Sequence, residues 1–308
     1  MAYYLGVDGG GSKTKCVIGD ESSILATAVA GPSNITRVGE VRAREALHAA
    51  MREACRTAKI DLEQLHRACV GAAGAGREEI ASVVRRIVAE VVPGEIEVVG
   101  DMQIALQAAL GGGPGVVVIA GTGSIAFGRD ASGKTARAGG WGFAISDEGS
   151  AHWMGRAAVA AVLRSADESA EGRTIEQLPP LFREMKPIWK VESLEQLARA
   201  ANSTPDFAAL FPAVLAASRE GDELAQTTLR QAATELAHLA GIVVQRLFPE
   251  QRCGAVPMAM AGGVFRHSAK IRELFYNQIR TAHPHVVLNS GVVEPVHGAL
   301  QMARRSVS

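Results

Sequence analysis

The feature that most constrains this chain is a pattern that occurs twice. Residues 3–28 run as apolar strand, glycine turn (Asp8-Gly9-Gly10-Gly11-Ser12), strand, polar turn (Gly19-Asp20-Glu21-Ser22), strand. Residues 115–138 repeat the order, with Ala120-Gly121-Thr122-Gly123-Ser124 as the glycine turn and Arg129-Asp130-Ala131-Ser132-Gly133 as the polar one. Chance can produce two similar hairpins. A duplicated domain explains them better, because both turns lack side chains where a phosphate would approach. The expectation is two halves whose glycine turns face each other across a cleft.

Short apolar runs alternate with longer helical patterns, which reads as α/β. Strands are predicted at Tyr3–Val7, Lys15–Ile18, Ile24–Ala28, Ala68–Gly71, Ile96–Val99, Val116–Ala120, Ile125–Phe127, Met258–Ala261 and Val286–Leu288. Helices are predicted at Val41–Ala58, Glu78–Val91, Gln103–Ala109, Gly149–Leu163 and Asp222–Leu247. The proline-rich stretch near 165–220 reads as a helical insertion in the second half.

The length of 308 residues suits two domains. Lys+Arg and Asp+Glu are 32 each, so there is no basic field to attract nucleic acid or an anionic membrane. No apolar stretch approaches the roughly 20 residues of a membrane span. Cys16, Cys55, Cys69 and Cys253 are scattered and form no C-x-x-C pair, which fits reduced thiols in a cytoplasm. The expected location is cytoplasmic. Oligomeric state is not legible, and a homodimer is left open.

Asp8-Gly9-Gly10-Gly11-Ser12-Lys13-Thr14 directly follows an apolar strand. Glycines let consecutive N–H groups point at phosphate oxygens, and Ser12 and Thr14 add hydroxyls. Asp8 can hold Mg²⁺ directly or through water, because that ion prefers hard oxygens and keeps part of its shell. Gly121-Thr122-Gly123-Ser124 alone could be a plain hairpin turn; paired with the first turn, it reads as a γ-phosphate contact. Residues 128–135, Gly-Arg-Asp-Ala-Ser-Gly-Lys-Thr, match a Walker A pattern letter for letter. A P-loop must run into a helix, and Ala136-Arg137-Ala138-Gly139-Gly140 starts none, so the segment is a polar hairpin turn.

Phosphoryl transfer to an alcohol needs a carboxylate to accept the hydroxyl proton. Asp101 follows a strand and leads into a helix, so it is either a helix cap, a base, or both. Asp147 and Glu148 precede another helix and are the rival carboxylates. Gly139, Gly140 and Trp141 form a loop ahead of that helix; Trp141 fits either core packing or the face of a sugar. Gly71–Gly76 is another glycine loop at a strand end, which a strand-to-helix turn explains. Ala261-Gly262-Gly263-Val264 follows a strand end, where α/β folds place ligands.

Taken together, these segments resemble the BadF/BadG/BcrA/BcrD group of the actin–hexokinase–Hsp70 superfamily, and within it the N-acetylglucosamine kinase-like members. The resemblance rests on residues 8–14, Gly31-Pro32-Ser33-Asn34, Asp101, Gly121–Ser124, Gly139-Gly140-Trp141-Gly142, Ser146-Asp147-Glu148-Gly149-Ser150, Ala261–Val264 and Pro295-Val296-His297-Gly298-Ala299-Leu300. It implies two actin-like (ribonuclease H-like) domains closing over ATP. These would be residues 1–117, completed by a C-terminal helix in 292–308, and residues 118–291. It also implies that Asp101 is the base and that Asn34, Thr122, Gly139, Gly140, Trp141 and Asp147 contact an amino sugar. Gly262 and Gly263 would meet the adenosine and α-phosphate, with Gly9–Thr14 and Gly121–Gly123 on the remaining phosphates. The implied activity is transfer from Mg·ATP to the 6-hydroxyl of N-acetylglucosamine, with glucosamine, N-acetylmuramic acid and N-acetylgalactosamine as neighbouring acceptors.

Two other functions fit parts of the sequence. One is an ATP-driven activator of a radical dehydratase or reductase, which needs cysteines in a loop to hold an iron–sulfur cluster. The other is a nucleotide switch without catalysis, which would keep Asp8 and the glycine turns but not require Asp101.

Overall fold

The computed structural model describes residues 2–168, 178–203, 205–249 and 254–305; Cys253 and part of the expected insertion lie outside them. The chain begins with β1 (Tyr3–Gly9), β2 (Thr14–Gly19), β3 (Ile24–Ala30), α1 (Ile35–Ala58), β4 (Leu65–Ala72), α2 (Glu78–Ala89), β5 (Glu95–Gly100) and α3 (Asp101–Leu110). It continues with β6 (Gly115–Ala120), β7 (Ser124–Arg129), β8 (Thr135–Gly139), α4 (Ala151–Asp167), α5 (Pro180–Trp189), α6 (Leu194–Ala201), α7 (Phe211–Arg219) and α8 (Glu223–Leu247). The last elements are β9 (Val256–Ala261), α9 (Gly263–His267), α10 (Ala269–Ala282), β10 (Val286–Val293) and α11 (Pro295–Ala303).

One sheet has the order β3-β2-β1-β4-β5 and the other β8-β7-β6-β9-β10, so the repeat extends to five strands in each. The chain divides into two compact units. Unit 1 comprises Met1–Val117, Arg129–Gly133 and Val293–Ser308; unit 2 comprises Val118–Gly128 and Lys134–Val292. The Walker look-alike is the turn between β7 and β8, where Asp130 Oδ1 accepts from the Ser132 N–H at 2.8 Å. It opens no helix. Among the described residues, no helix is long and apolar enough to cross a membrane.

In unit 1, β1 is antiparallel to β2 and parallel to β4, and β4 is parallel to β5. The period of two sorts the side chains. Leu5, Val7, Cys16, Ile18, Ala68 and Val70 pack with Leu47 and Met51 of α1 and Val84 and Ile87 of α2. On the opposite face, Val17 meets Val296 and Leu300, and Cys69 meets Ile104 and Ala299. Helices therefore cover both faces, and α11 returns from the far end of the sequence to complete one of them. Arg304 ties it down by donating from Nε to Asp20 O at 2.7 Å, and Arg305 donates from Nη2 to Gln107 Oε1 at 2.5 Å.

Helix α1 starts at Ile35, ahead of the predicted Val41, because Asn34 caps it; Oδ1 accepts from the Thr36 N–H at 3.1 Å. Helix α10 lies outside the sequence expectations. In unit 2, Asp222 caps α8, its carboxylate accepting from the N–H groups of Ala225 (2.8 Å) and Leu181 (3.1 Å), the second of which fastens α5 to the start of α8.

The tightest packing lies under α11. A Cβ on Gly298 would overlap the Ile104 carbonyl of α3 and sit 2.6 Å from Ala108 N, all of it backbone that cannot rotate away. Gly298→Ala should therefore lose about 3 kcal/mol in urea unfolding, the upper range for an overpacked core. Gly254→Ala, where nothing lies within 4 Å, should change stability by less than about 0.5 kcal/mol. Equal effects at the two positions would refute this account of the packing.

Candidate functional site

The parallel strands β1, β4 and β5 end in register, Asp8 opposite Gly71 and Ala72 opposite Gly100, so Asp8 and Asp101 emerge at the same edge of the sheet. Such an edge, beyond strand C-termini, is where α/β sheets receive ligands. Burial holds the Asp8 carboxyl far above the usual carboxylate range, to about 7. The Asp101 and Glu294 carboxylates push the same way, while Lys13 and Lys15 pull it back. Asp101 is also raised by burial, against the N–H groups of Met102 and its own backbone, which favour the ionised form. Asp101 is the first residue of α3; the capping position is Gly100, whose N–H donates to Gln103 Oε1 at 2.9 Å. The N-cap position that the sequence allowed Asp101 thus falls to Gly100, while the Asp101 carboxylate accepts from the first-turn N–H of Met102 at 2.9 Å.

The glycine turn closes with Gly10 N donating to Lys13 O at 3.1 Å. Neither Gly9 nor Gly10 uses a positive φ, so their value lies in the missing Cβ. Thr14, offered by the sequence as a phosphate hydroxyl, is fully buried: Oγ1 donates to Gly31 O at 2.8 Å and lies 2.7 Å from Ser33 Oγ. It fastens the Gly31–Asn34 loop to the turn. Asn34 Oδ1 is occupied in capping α1, leaving its amide nitrogen as the group suited to a ligand. Sequence reasoning missed Glu294, the residue before α11, which accepts from Lys15 Nζ at 2.8 Å. Lys15 lies opposite Asp8 across the β1–β2 pair, a register that the hairpin reading contained.

In unit 2, the second glycine turn sits on the start of α4, where Ala151 N donates to Gly121 O at 2.9 Å and Ser150 Oγ caps Trp153 N. Ser124 Oγ donates to Glu148 O at 2.7 Å, and Ser146 Oγ to the Glu148 carboxylate at 2.9 Å, so Glu148 braces the loop. Asp147 is buried with φ 67, a left-handed backbone uncommon for a residue with a side chain. Its carboxylate presses on the turn: a Cβ on Gly123 would lie 2.8 Å from Oδ2. Gly139 and Gly140 also take positive φ, and Trp141 is 68% exposed with the Arg137 guanidinium 4.2 Å above its ring, so core packing is excluded for it.

Packing separates two kinds of glycine. Gly123 and Gly262 are required by the fold, Gly262 because φ is 97 and a Cβ would overlap Ala120 O. Gly121 has nothing within 4 Å, and Gly263 has its nearest atom at 3.9 Å. The fold alone does not demand glycine at 121 or 263, and both lie at strand ends of the second sheet.

Among the described residues, no group of three His, Cys, Asp or Glu side chains is arranged to hold a metal ion. The Asp8 carboxylate still fits Mg²⁺, which commonly takes one or two carboxylates and fills its shell with water and phosphate oxygens. Cys16, Cys55 and Cys69 are core residues of β2, α1 and β4; burial pushes the Cys55 thiol to about 11, the Cys69 thiol to about 12 and that of Cys16 up as well.

The sequence profile of the BadF/BadG/BcrA/BcrD ATPase family matches residues 5–303, and the chain belongs to that family. It is 32% identical over 310 residues to an N-acetylmuramic acid/N-acetylglucosamine kinase of Clostridium acetobutylicum, covering 99% of each chain. It is 28% identical over 316 residues to an N-acetyl-D-glucosamine kinase of Dictyostelium discoideum, covering 98% of each. A solved Chromobacterium violaceum structure, provisionally named an N-acetylglucosamine kinase, superposes with a TM-score of 0.78 at 24% identity and 99% coverage of each chain. That likeness establishes the fold, α/β of the actin-like ATPase and hexokinase type.

The raised Asp8 carboxyl gives a pH signature. Between pH 3.8 and about 7 the folded protein keeps a proton at Asp8 that the unfolded chain has released, so this contribution to stability is lost as pH rises through that window. The shift caps the effect near 4 kcal/mol, and the part of the side chain facing water reduces it to roughly 2 kcal/mol. Without divalent cations or nucleotide, Asp8→Asn should be more stable than wild type by roughly 2 kcal/mol at pH 8 and indistinguishable near pH 4. Urea unfolding across this range measures it; a pH-independent difference would contradict the cause given.

Proposed function

We propose that the protein is an ATP-dependent amino-sugar kinase that phosphorylates the 6-hydroxyl of N-acetylglucosamine or a close relative such as N-acetylmuramic acid. The observation that carries the reading is the pair of half-buried carboxylates, Asp8 and Asp101, at one edge of a parallel sheet beside a glycine turn. The names of the two curated relatives, matched over nearly their whole length, support the substrate class.

In this reading Asp101 accepts the proton of the attacking hydroxyl. Burial raises its proton affinity toward the working pH, and the Met102 N–H at 2.9 Å steadies one oxygen so that the other can face the acceptor. Asp8 anchors Mg²⁺, which when bound neutralises charge on the transferred phosphoryl group. The residue 9–14 turn and Gly121–Gly123 offer backbone N–H groups to phosphate oxygens, and the open Gly263 beside Gly262 lets a nucleotide approach the end of β9. Asn34, Thr122, Gly139, Gly140, Trp141 and Asp147 receive the sugar. An ionised Asp147 can only accept, which suits hydroxyl donors, and the exposed indole of Trp141 offers an apolar face. Three of the four cysteines are core side chains rather than loop ligands, so they supply no cluster site of the kind a radical-enzyme activator needs.

A coupled ADP-release assay across free hexosamines tests the reading. Asp101→Asn should retain ATP binding and lose sugar phosphorylation by about 100- to 10,000-fold, the usual contribution of a general base. Turnover close to wild type in that variant would remove Asp101 from the mechanism. Absence of phosphorylated product from every hexosamine would overturn the kinase reading itself.

A further inference from the structure

The loop from Gly139 to Gly149 is pinned at its two ends. A Cβ on Gly139 would crowd Leu239 of α8, one on Gly140 would crowd Ile125 of β7, and one on Gly149 would lie 2.6 Å from Ala232 O of α8. Between these anchors the loop presents Trp141, Phe143 and Ile145, which are 68%, 52% and 80% exposed. Phe143 is nevertheless the start of a row of rings. Its centroid lies 5.2 Å from that of His152 on the first turn of α4, and His152 lies 5.3 Å from Phe207 in a T-shaped contact. Phe207 in turn lies 5.2 Å from Trp189 at the end of α5. These separations are within the range of favourable aromatic pairs.

Two further contacts place His152 at a junction. Its backbone N–H donates to Thr122 O at 3.4 Å, so the same residue touches the glycine turn of unit 2. Gly155, three residues on along the same helical face, has no side chain because a Cβ there would overlap the Phe207 carbonyl, which seats the Phe207–Leu210 turn directly on α4. The helical insertion, α5 to α7, thus reaches the loop through rings and reaches α4 through backbone.

We propose that His152 is a positioning residue: its ring, held by Phe207 of the insertion with Trp189 behind it, sets the height of Phe143 and with it the acceptor loop carrying Trp141 and Asp147. The proposal rests on the kinase reading for its kinetic consequence but not for its structural one. It gives the insertion, which contributes no residue to the proposed chemistry, a part in acceptor recognition.

The test uses the full chain with His152→Leu, which keeps bulk and loses the ring, His152→Phe, which keeps the ring, and Phe207→Leu. With N-acetylglucosamine as the varied substrate, His152→Leu and Phe207→Leu should raise the acceptor KM about 10-fold, the size expected for losing two ring contacts, and leave the ATP KM within about two-fold. His152→Phe should return the acceptor KM to within about three-fold of wild type. Equal rises in both KM values, or a His152→Phe variant as impaired as His152→Leu, would overturn the proposal. Hydrogen–deuterium exchange on the ligand-free protein judges it independently of any substrate. Faster exchange confined to residues 141–146 in the two leucine variants supports it, and unchanged exchange there, or a rise spread over all of unit 2, overturns it. If wild type phosphorylates no hexosamine, the functional reading falls while the exchange result still decides the role of the ring row.

Discussion

Two acids share the carboxyl edge of one sheet, and much of unit 1 is arranged around keeping them there. Burial opposes ionisation of both, and the Asp101 carboxylate further disfavours the charge on Asp8. Evolution of stability alone would replace such a pair with apolar side chains of similar volume. The parallel register of β1, β4 and β5 fixes both at the same strand ends. Lys13 and Lys15 offset part of the repulsion, and Lys15 is itself shared with Glu294. The arrangement is a standing cost that a divalent cation would relieve, which is why chemistry is sought there rather than at the larger, stable helical faces.

The second unit solves a different problem, that of shaping an irregular loop. Gly139, Gly140, Gly142, Asp147 and Gly149 all have positive φ within eleven residues. Only Asp147 among them carries a side chain, and it bears the strain while pressing on Gly123. A backbone so bent keeps only turn hydrogen bonds, such as Ser146 N–H to Gly142 O at 2.9 Å, and side chains hold the rest: Ser146 and Glu148 from within, Ser124 from β7 and the ring of His152 from the helix behind.

What could be read from sequence was local. The paired glycine turns announced two related sheets, since a turn is specified by the residues within it. Asp222 as the start of a long helix was similarly legible, its cap and its apolar stripe lying within a few residues of each other. Helix α1 starts ahead of the expected Val41 because its start signal is the Asn34 cap, in a Gly31-Pro32-Ser33-Asn34 segment that equally describes a turn. Helix α10 escaped notice although Ser268 caps it and Ile271, Phe275 and Ile279 recur at four-residue spacing. The choice between core and surface for Trp141, the burial of the Thr14 hydroxyl and the pairing of Lys15 with a residue 279 positions away depend on which segments meet in space, and no window of sequence holds that information. The residues proposed for the site were read from the sequence; Glu294, which packs its carboxylate beside them, was not.

The order in which the parts of unit 1 are made has a consequence for the nascent chain. The face of its sheet that carries Val17, Cys69 and, through α3, Ile104 is covered by α11, whose residues follow all of 134–292 in the sequence. A ribosome must therefore translate the whole of the other unit while this apolar face is covered by α3 alone and the part under α11 stays open. The early half emerges first yet closes last, and in the interval its sheet is the surface a cellular chaperone would meet.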